Sequence, residues 1–389
     1  MDSLIEKDKL GGCEPINILQ LTLSFENGGR KEAINNLSKG LQQKGHSVFL
    51  GCVSHAGCDL NELIYFKDTE VFHFSKLLDF TAVKNLSAFC IKNKIQLIHA
   101  HDAGSLYLAS LTKWCLKFSA PQIMTFHRSL NFETASLKNK IRNVLALMSS
   151  EGVITVSNAR GQDFISSNLI KPKRLQLINL SADINRFKFD LDGRNSIRQQ
   201  YSIPEKDIVF GAMGHFGLEK GIDVVINGYR ILQQKLGQQA NNIHLLILGR
   251  GNNEDTARLE GIIEEFGIKN VYFAGFQPNP ETYFSVFDVF LHTPREENGA
   301  TVLFEAMASS LPIVGSLIGG VPEAIVENET GLLVESENAE QLALAAEELL
   351  LNDHLRISMG LAGLKRCHQN FTHEHYIQKH LAFYNKVLE

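Results

Sequence analysis

The feature that most limits how this chain can fold is an alternation, kept up almost from end to end, of short apolar runs with helix-length segments. In the first half the runs are Ile16–Thr22 (INILQLT), His46–Val53 (HSVFLGCV), Ile95–His101 (IQLIHAH), Gln122–His127 (QIMTFH), Val153–Ser157 (VITVS) and Leu175–Leu180 (LQLINL). Stretches such as Gly29–Lys44 and Asp79–Lys94 separate them. Near-continuous apolar runs joined through helices predict parallel strands buried on both faces. The rhythm restarts after residue 205, with runs at Val209–Gly214, His244–Gly249, Val271–Gly275, Val289–His292, Ile313–Gly315 and Gly331–Val334. Glu340–Leu351 (EQLALAAEELLL) is the clearest amphipathic helix of this half. Two such series predict an α/β protein of two Rossmann-like, doubly wound parallel-sheet domains facing each other across a cleft. The expected boundaries are 1–190 for the first domain, 191–205 for a linker within the polar stretch Phe187–Glu205, and 206–372 for the second domain. Ligands of such sheets bind beyond the carboxyl ends of the strands, so residues just after strands carry the chemistry.

Composition narrows the function classes. The 389 residues are 44% hydrophobic, enough for two ordinary cores. No apolar run approaches the roughly 20 residues of a membrane span, and the N-terminal MDSLIEKDKLGG has no signal-peptide pattern. A soluble cytoplasmic protein is expected, with the cytoplasmic face of the membrane as a further location. Cysteines 13, 52, 58, 90, 115 and 367 form no CxxC pair, which suits reduced thiols. The net charge of -5 divides into a basic front half and an acidic back half. No basic run with interleaved aromatics points to nucleic acid. An anionic acceptor or membrane surface suits the front half better, against chance variation between two solvated surfaces.

Several segments stand where ligands are expected. Asn27-Gly28-Gly29 follows the first strand and opens a helix, whose amides can approach a phosphate or sugar; a plain tight turn is the alternative. It is not GxGxxG, which follows no strand here. His127 ends the run MTFH, where it can hydrogen-bond a substrate hydroxyl or serve structurally. His99-x-His101-Asp102 invites a metal reading, but no further ligands suggest themselves, so no metal site is expected. In Gly214-His215-Phe216-Gly217-Leu218-Glu219-Lys220-Gly221, Lys220 can neutralise a diphosphate and His215 can add a hydrogen bond. Thr293–Ser310 is the most specific segment: Glu297 follows the strand VFLH, and Asn298-Gly299-Ala300 opens a helix with amides exposed near Thr301 and Val302. Glu305 lies inside that helix, and Ile318–Glu323 (IGGVPE) follows in the next loop. Helix Ser136–Met148 carries a stripe of Leu137, Ile141, Val144, Leu145 and Met148 beside Lys138, Lys140 and Arg142. Packing on its own sheet is the expected use of the stripe, and membrane contact the alternative.

Together these segments resemble the retaining glycosyltransferases of family 4, the group 1 type, which have the GT-B fold. The resemblance runs from about residue 16 to 388 and rests on NGG, TFH, VSNA, INLSADINRF, GHFGLEKG, ENGATVLFEAMA, IGGVPEAI and ETGLLV. It implies that Glu297 contacts the donor sugar and Glu305 the ribose. Lys220 would hold the diphosphate with the amides of Thr301 and Val302, beside Gly299 and His215. Gly28 and Gly29 would let their loop close over the phosphates, and His127 would lie beside the anomeric carbon. The helix over 373–389 would cross back to the first domain. Three positions depart from the family pattern: His215 stands for an arginine, Ala300 for a glycine, and Asn179-Leu180 for Asn-Gly.

The expected reaction is transfer of a sugar from a nucleotide-diphosphate donor to a hydroxyl of a glycan, lipid-linked or other acceptor, with retention and without a metal ion. Nothing resembles the paired carboxylates of a covalent glycosidase. The competing readings are a sugar-nucleotide-binding scaffold, suggested by His215 and Ala300, and a sugar-nucleotide epimerase.

Overall fold

The computed structural model describes residues 14–26, 28–55, 57, 63–127, 136–166 and 168–389. Asn27, the N-terminal segment, Cys13 and Cys58 of the sequence reading lie outside them, as does the Lys138 side chain. The first sheet is built from β1 (Asn17–Ser24), β2 (Ser47–His55), β3 (Thr69–Val71), β4 (Leu97–Ala100), β5 (Gln122–Phe126), β6 (Gly152–Thr155) and β7 (Leu175–Leu177). Helices α1 (Gly29–Gln43), α2 (Phe80–Lys92), α3 (Ala103–Leu116), α4 (Leu137–Ser149) and α5 (Asn158–Ser166) connect these strands. After α6 (Leu191–Gln200), the second sheet takes β8 (Ile208–Met213), β9 (Ile243–Leu248), β10 (Val271–Gly275), β11 (Val289–His292), β12 (Ile313–Ser316) and β13 (Gly331–Val334). Its helices are α7 (Ile222–Leu236), α8 (Asn253–Phe266), α9 (Glu281–Phe284), α10 (Thr301–Ala308), α11 (Val321–Ala324), α12 (Ala339–Leu351) and α13 (Asp353–Asn370). Helix α14 (His373–Leu388) ends the chain.

Strand order is β3-β2-β1-β4-β5-β6-β7 in one sheet and β10-β9-β8-β11-β12-β13 in the other. The central pairs β1–β2, β1–β4, β8–β9 and β8–β11 are parallel. The order reverses beside β1 and beside β8, which puts a switch point at β1/β4 and another at β8/β11. By packing, the chain divides into one unit of Met1–Ile154, Phe164–Gln176 and Ile377–Glu389, and another of Thr155–Asp163 and Leu177–Tyr376. Alternation along the second unit's strands sends successive side chains to opposite cores. Leu246 and Leu248 enter the cluster holding Phe284 and Met307, while Leu245 and Ile247 enter the cluster holding Tyr229 and Leu342. Among the described residues no helix is long and apolar enough to cross a membrane.

Residues 191–205 contain α6, whose Ile197 joins the second core and whose Arg198 is buried against the backbone oxygens of Pro204, Glu205 and Asp207. One expectation is corrected here. The stripe on α4 does not pack on its sheet: Leu137, Ile141, Leu145 and Met148 are 73%, 53%, 39% and 69% exposed. The helix instead buries Asn143, Ala146 and Leu147, with Ser149 hydrogen-bonded to Ser110 of α3. That inner face is small and partly polar, with Ala146 and Leu147 in the first core.

Candidate active site

Helix starts already separate structural from available amides. Helices α2, α3, α4, α6, α8, α12 and α13 begin at Asp, Ser or Asn, whose side chains accept from the first turn. The four-residue helices α9 and α11 have no side-chain cap, and among the longer ones α1, α7 and α10 begin at Gly28, Gly221 and Ala300 with none either. These last three follow central strands at the switch points, where amides without a side-chain acceptor suit an anion.

In the second unit two loops meet at the β8/β11 switch. Gly221 holds φ +63°, and a Cβ there would collide with the carbonyl oxygen of Thr293. This contact, with Arg295 N donating to Glu219 O at 2.8 Å, seats the Lys220 turn on the loop after β11. Arg295 braces the same junction through a fork on Asp223 (2.9 and 2.7 Å), Leu218 O (2.6 Å) and Glu337 (2.6 Å). Lys220 Nζ thereby reaches Glu297 Oε2 at 2.9 Å. His292, the buried last residue of β11, stands 3.3 Å from the same oxygen, and Asn298 N donates to Oε1 at 3.2 Å. Burial pushes the Glu297 carboxyl up, but the His292 ring beside it and the Lys220 charge outweigh that and hold it at about 2. Glu297 is thus an acceptor and an anion at any working pH, unsuited to protonate a leaving group.

The IGGVPE loop locks onto this carboxylate's backbone. Gly319 holds φ +54°, with no room for a Cβ beside the carbonyl oxygen of Glu297, and Gly320 N donates to that oxygen at 3.3 Å. Beyond it, the Glu323 carboxylate accepts from the amides of Asn158 and Ala159 at 2.8 and 2.9 Å, and Arg160 bonds the Asn298 side chain. Gly299 packs on Val156, and a Cβ there would press into that side chain. Thr301 and Val302 form the first turn of α10, with Glu305 buried in the next. His215 is turned elsewhere: its Nε2 lies 2.9 Å from Glu219, and its Nδ1 accepts from Gly217 N at 3.2 Å.

The first unit shows a matching edge. Gly28 and Gly29 open α1, and Arg30 lies 3.7 Å from Asp102. His127 follows β5 and hydrogen-bonds His101 (Nε2···Nδ1, 3.0 Å); burial, then the charge of Arg30, depresses it to about 3. The residues weighed as metal ligands have other work. His99 lies between Tyr384 OH and Thr125 Oγ1, each at 2.7 Å, and Asp102 caps α3 while accepting from Leu23 N at 2.6 Å. Tyr384 comes from α14, whose residues from Ile377 onward belong to this unit. Sequence reading missed His292, Arg295 and Asp223. His292 alone had a signal, as the last residue of VFLH directly before the loop.

Two family models account for most of the chain. The model for glycosyl transferases group 1 matches residues 193–366, and that for Glycosyltransferase Family 4 matches residues 27–186. The chain belongs to the group 1 glycosyltransferases of GT-B fold. It is 24% identical over 375 residues to N-acetyl-alpha-D-glucosaminyl L-malate synthase of Bacillus anthracis, covering 93% of this chain and 94% of that protein. It is also 24% identical over 247 residues to the capsular polysaccharide biosynthesis glycosyltransferase CapM of Staphylococcus aureus. That match spans 63% of this chain and 64% of CapM, just under two thirds. Among solved structures, Anabaena Alr3699/HepE in complex with UDP aligns at TM-score 0.84 and 20% identity, over 95% of this chain and 100% of that one.

Proposed function

We propose that this glycosyltransferase moves a sugar from a nucleotide-diphosphate donor to an acceptor hydroxyl with retention of anomeric configuration. The observation that carries the reading is the Lys220–Glu297 pair, 2.9 Å apart at the β8/β11 switch point, beside the helix α10 that no side chain caps. In this reading the second unit holds the donor. Lys220 and the amides of Thr301 and Val302 balance the departing diphosphate without a metal ion. Glu297 accepts from the sugar hydroxyls, Glu305 from the ribose, and Gly299 admits the donor closely. His127, Gly28 and Gly29 of the first unit contact the substrate, and residues 1–190 supply the acceptor side. His215 joins only by leaving Glu219. Solved complexes of the Anabaena protein with UDP and with UDP-glucose support a nucleotide-sugar donor.

A thermal-shift panel of nucleotide sugars tests this first, because a ligand of the folded state raises the melting temperature. The stabilising donor should then give transfer to an added acceptor, with the anomeric configuration of the product read by NMR. Binding without turnover would support a scaffold instead, isomerised donor an epimerase, and an inverted product would end the retention claim.

We also propose contact of α4 with an anionic bilayer at the cytoplasmic face, supported by the exposed stripe and by Lys140 and Arg142 on the same helix. Co-sedimentation should rise with the anionic lipid fraction of vesicles and fall in the double variant Ile141→Glu, Met148→Glu. Equal binding to neutral vesicles removes the idea.

A further inference from the structure

Glu297 Oε2 has two side-chain neighbours among the described residues, and they differ in freedom. Lys220 Nζ, 2.9 Å away, belongs to a side chain 26% exposed, which can turn outward. His292 Nε2, 3.3 Å away, belongs to a ring only 4% exposed, beneath a carboxylate 7% exposed. That ring is held in place. It ends β11 on the same side of the sheet as Phe290, with the two rings 15° from parallel and their centroids 6.4 Å apart. Phe290 in turn lies in the core with Phe284 and Met307. Nε2 has no hydrogen-bond partner among the described residues, so at 3.3 Å it approaches the carboxylate without completing a bond. A buried ring nitrogen left so is uncommon in a native fold and marks a place where a partner is exchanged or a role is served.

Donor binding would cause such an exchange. In the transferase reading Lys220 serves the diphosphate, whose charge competes with Glu297 for Nζ. Once Nζ turns away, Oε2 is a buried charged oxygen, and leaving it without a donor costs more than leaving a neutral group so. Oε1 keeps the amide of Asn298 at 3.2 Å, but that contact does not reach the other oxygen. The carboxyl is ionised and can only accept, so the nitrogen that answers it carries the hydrogen.

We propose that His292 is a positioning residue that takes over Glu297 Oε2 through Nε2–H when Lys220 turns to the diphosphate, and so keeps the carboxylate aimed at the sugar hydroxyls. The functional half rests on the donor-site reading; the exchange of partners at Oε2 does not.

Lys220→Met removes Nζ with no nucleotide present and keeps the side chain's bulk, so it isolates the exchange. Proton–15N NMR of the full chain, labelled with 15N-histidine, follows the His292 ring, whose signals are assigned by their loss in His292→Gln. In the wild type Nε2 should carry a proton. In Lys220→Met its N–H signal should move downfield and exchange with water more slowly, as the bond to the carboxylate forms. A wild-type ring protonated at Nδ1 alone, or an Nε2–H signal that Lys220→Met leaves unmoved, overturns the proposal. With UDP-glucose, or the nucleotide sugar that the thermal-shift panel selects, His292→Leu should lose about ten- to hundredfold in kcat, the worth of a hydrogen bond to a charged group. Its affinity for the matching nucleoside diphosphate, which lacks the sugar, should stay near wild type. His292→Gln, which keeps an N–H, should recover most of the rate. A lower melting temperature with both ligands weakened alike would mean a purely structural role and would also sink the idea. The ligand-free spectra need no donor, so their failure is told apart from a failure of the transferase reading.

Discussion

Lys220→Ala should lose about 10²–10³ in kcat, the usual cost of removing one group that stabilises developing charge. The side chain is about a quarter exposed and belongs to no apolar cluster, so its loss should leave the cores of the second unit packed. Its removal does strip Glu297 of its closest cation, leaving His292 at 3.3 Å as the neighbour of Oε2. The pH dependence follows from that. A carboxyl held at about 2 in the fold contributes stability that is full above its unfolded value near 4.5 and is lost as pH falls toward 2. Without Lys220 the carboxyl rises, so acid unfolding should begin at a higher pH in the variant. Initial rates with the donor, circular dichroism melts and an acid titration check all three. Transfer at the wild-type rate would remove Lys220 from the leaving-group role.

Gly319→Ala should damage both stability and the site. Its φ of +54° costs an L-residue about 1–2 kcal/mol, and the added methyl would meet the Glu297 carbonyl oxygen, which is backbone and cannot rotate away. A total near 2 kcal/mol is expected, or about 4–8 °C in the melting temperature of a domain this size. The loop must also push the Glu297 backbone off Lys220, so donor affinity should fall with stability. An alanine variant with unchanged melting and unchanged donor binding would show that this loop does not set the carboxylate's position.

Much of the fold was legible because its signals are local. An apolar run needs only its own residues to announce a doubly buried strand, and most runs became strands within a residue or two. The exception, β3, is three residues of Thr69-Glu70-Val71 pairing with β2 at the sheet edge, with no apolar run to see. Helix α6 was hidden for a related reason, since its anchor is Arg198, buried by hydrogen bonds rather than by apolar area. On α4 the periodicity named the residues that share a face but not which face the sheet would cover.

The sequence by itself determined two doubly wound sheets and the identities of the residues at their carboxyl edges, because strand periodicity, glycine turns and helix starts are written in neighbouring positions. Tertiary structure alone decided which of those residues meet. Lys220 and Glu297 are 77 positions apart, and only the β8/β11 adjacency and the glycine-tight loop contact bring them to 2.9 Å. It likewise turned His215 to Glu219 and placed His292 beneath Glu297. The physical reason is that such contacts depend on strand order and on how closely backbones approach, which no local pattern encodes.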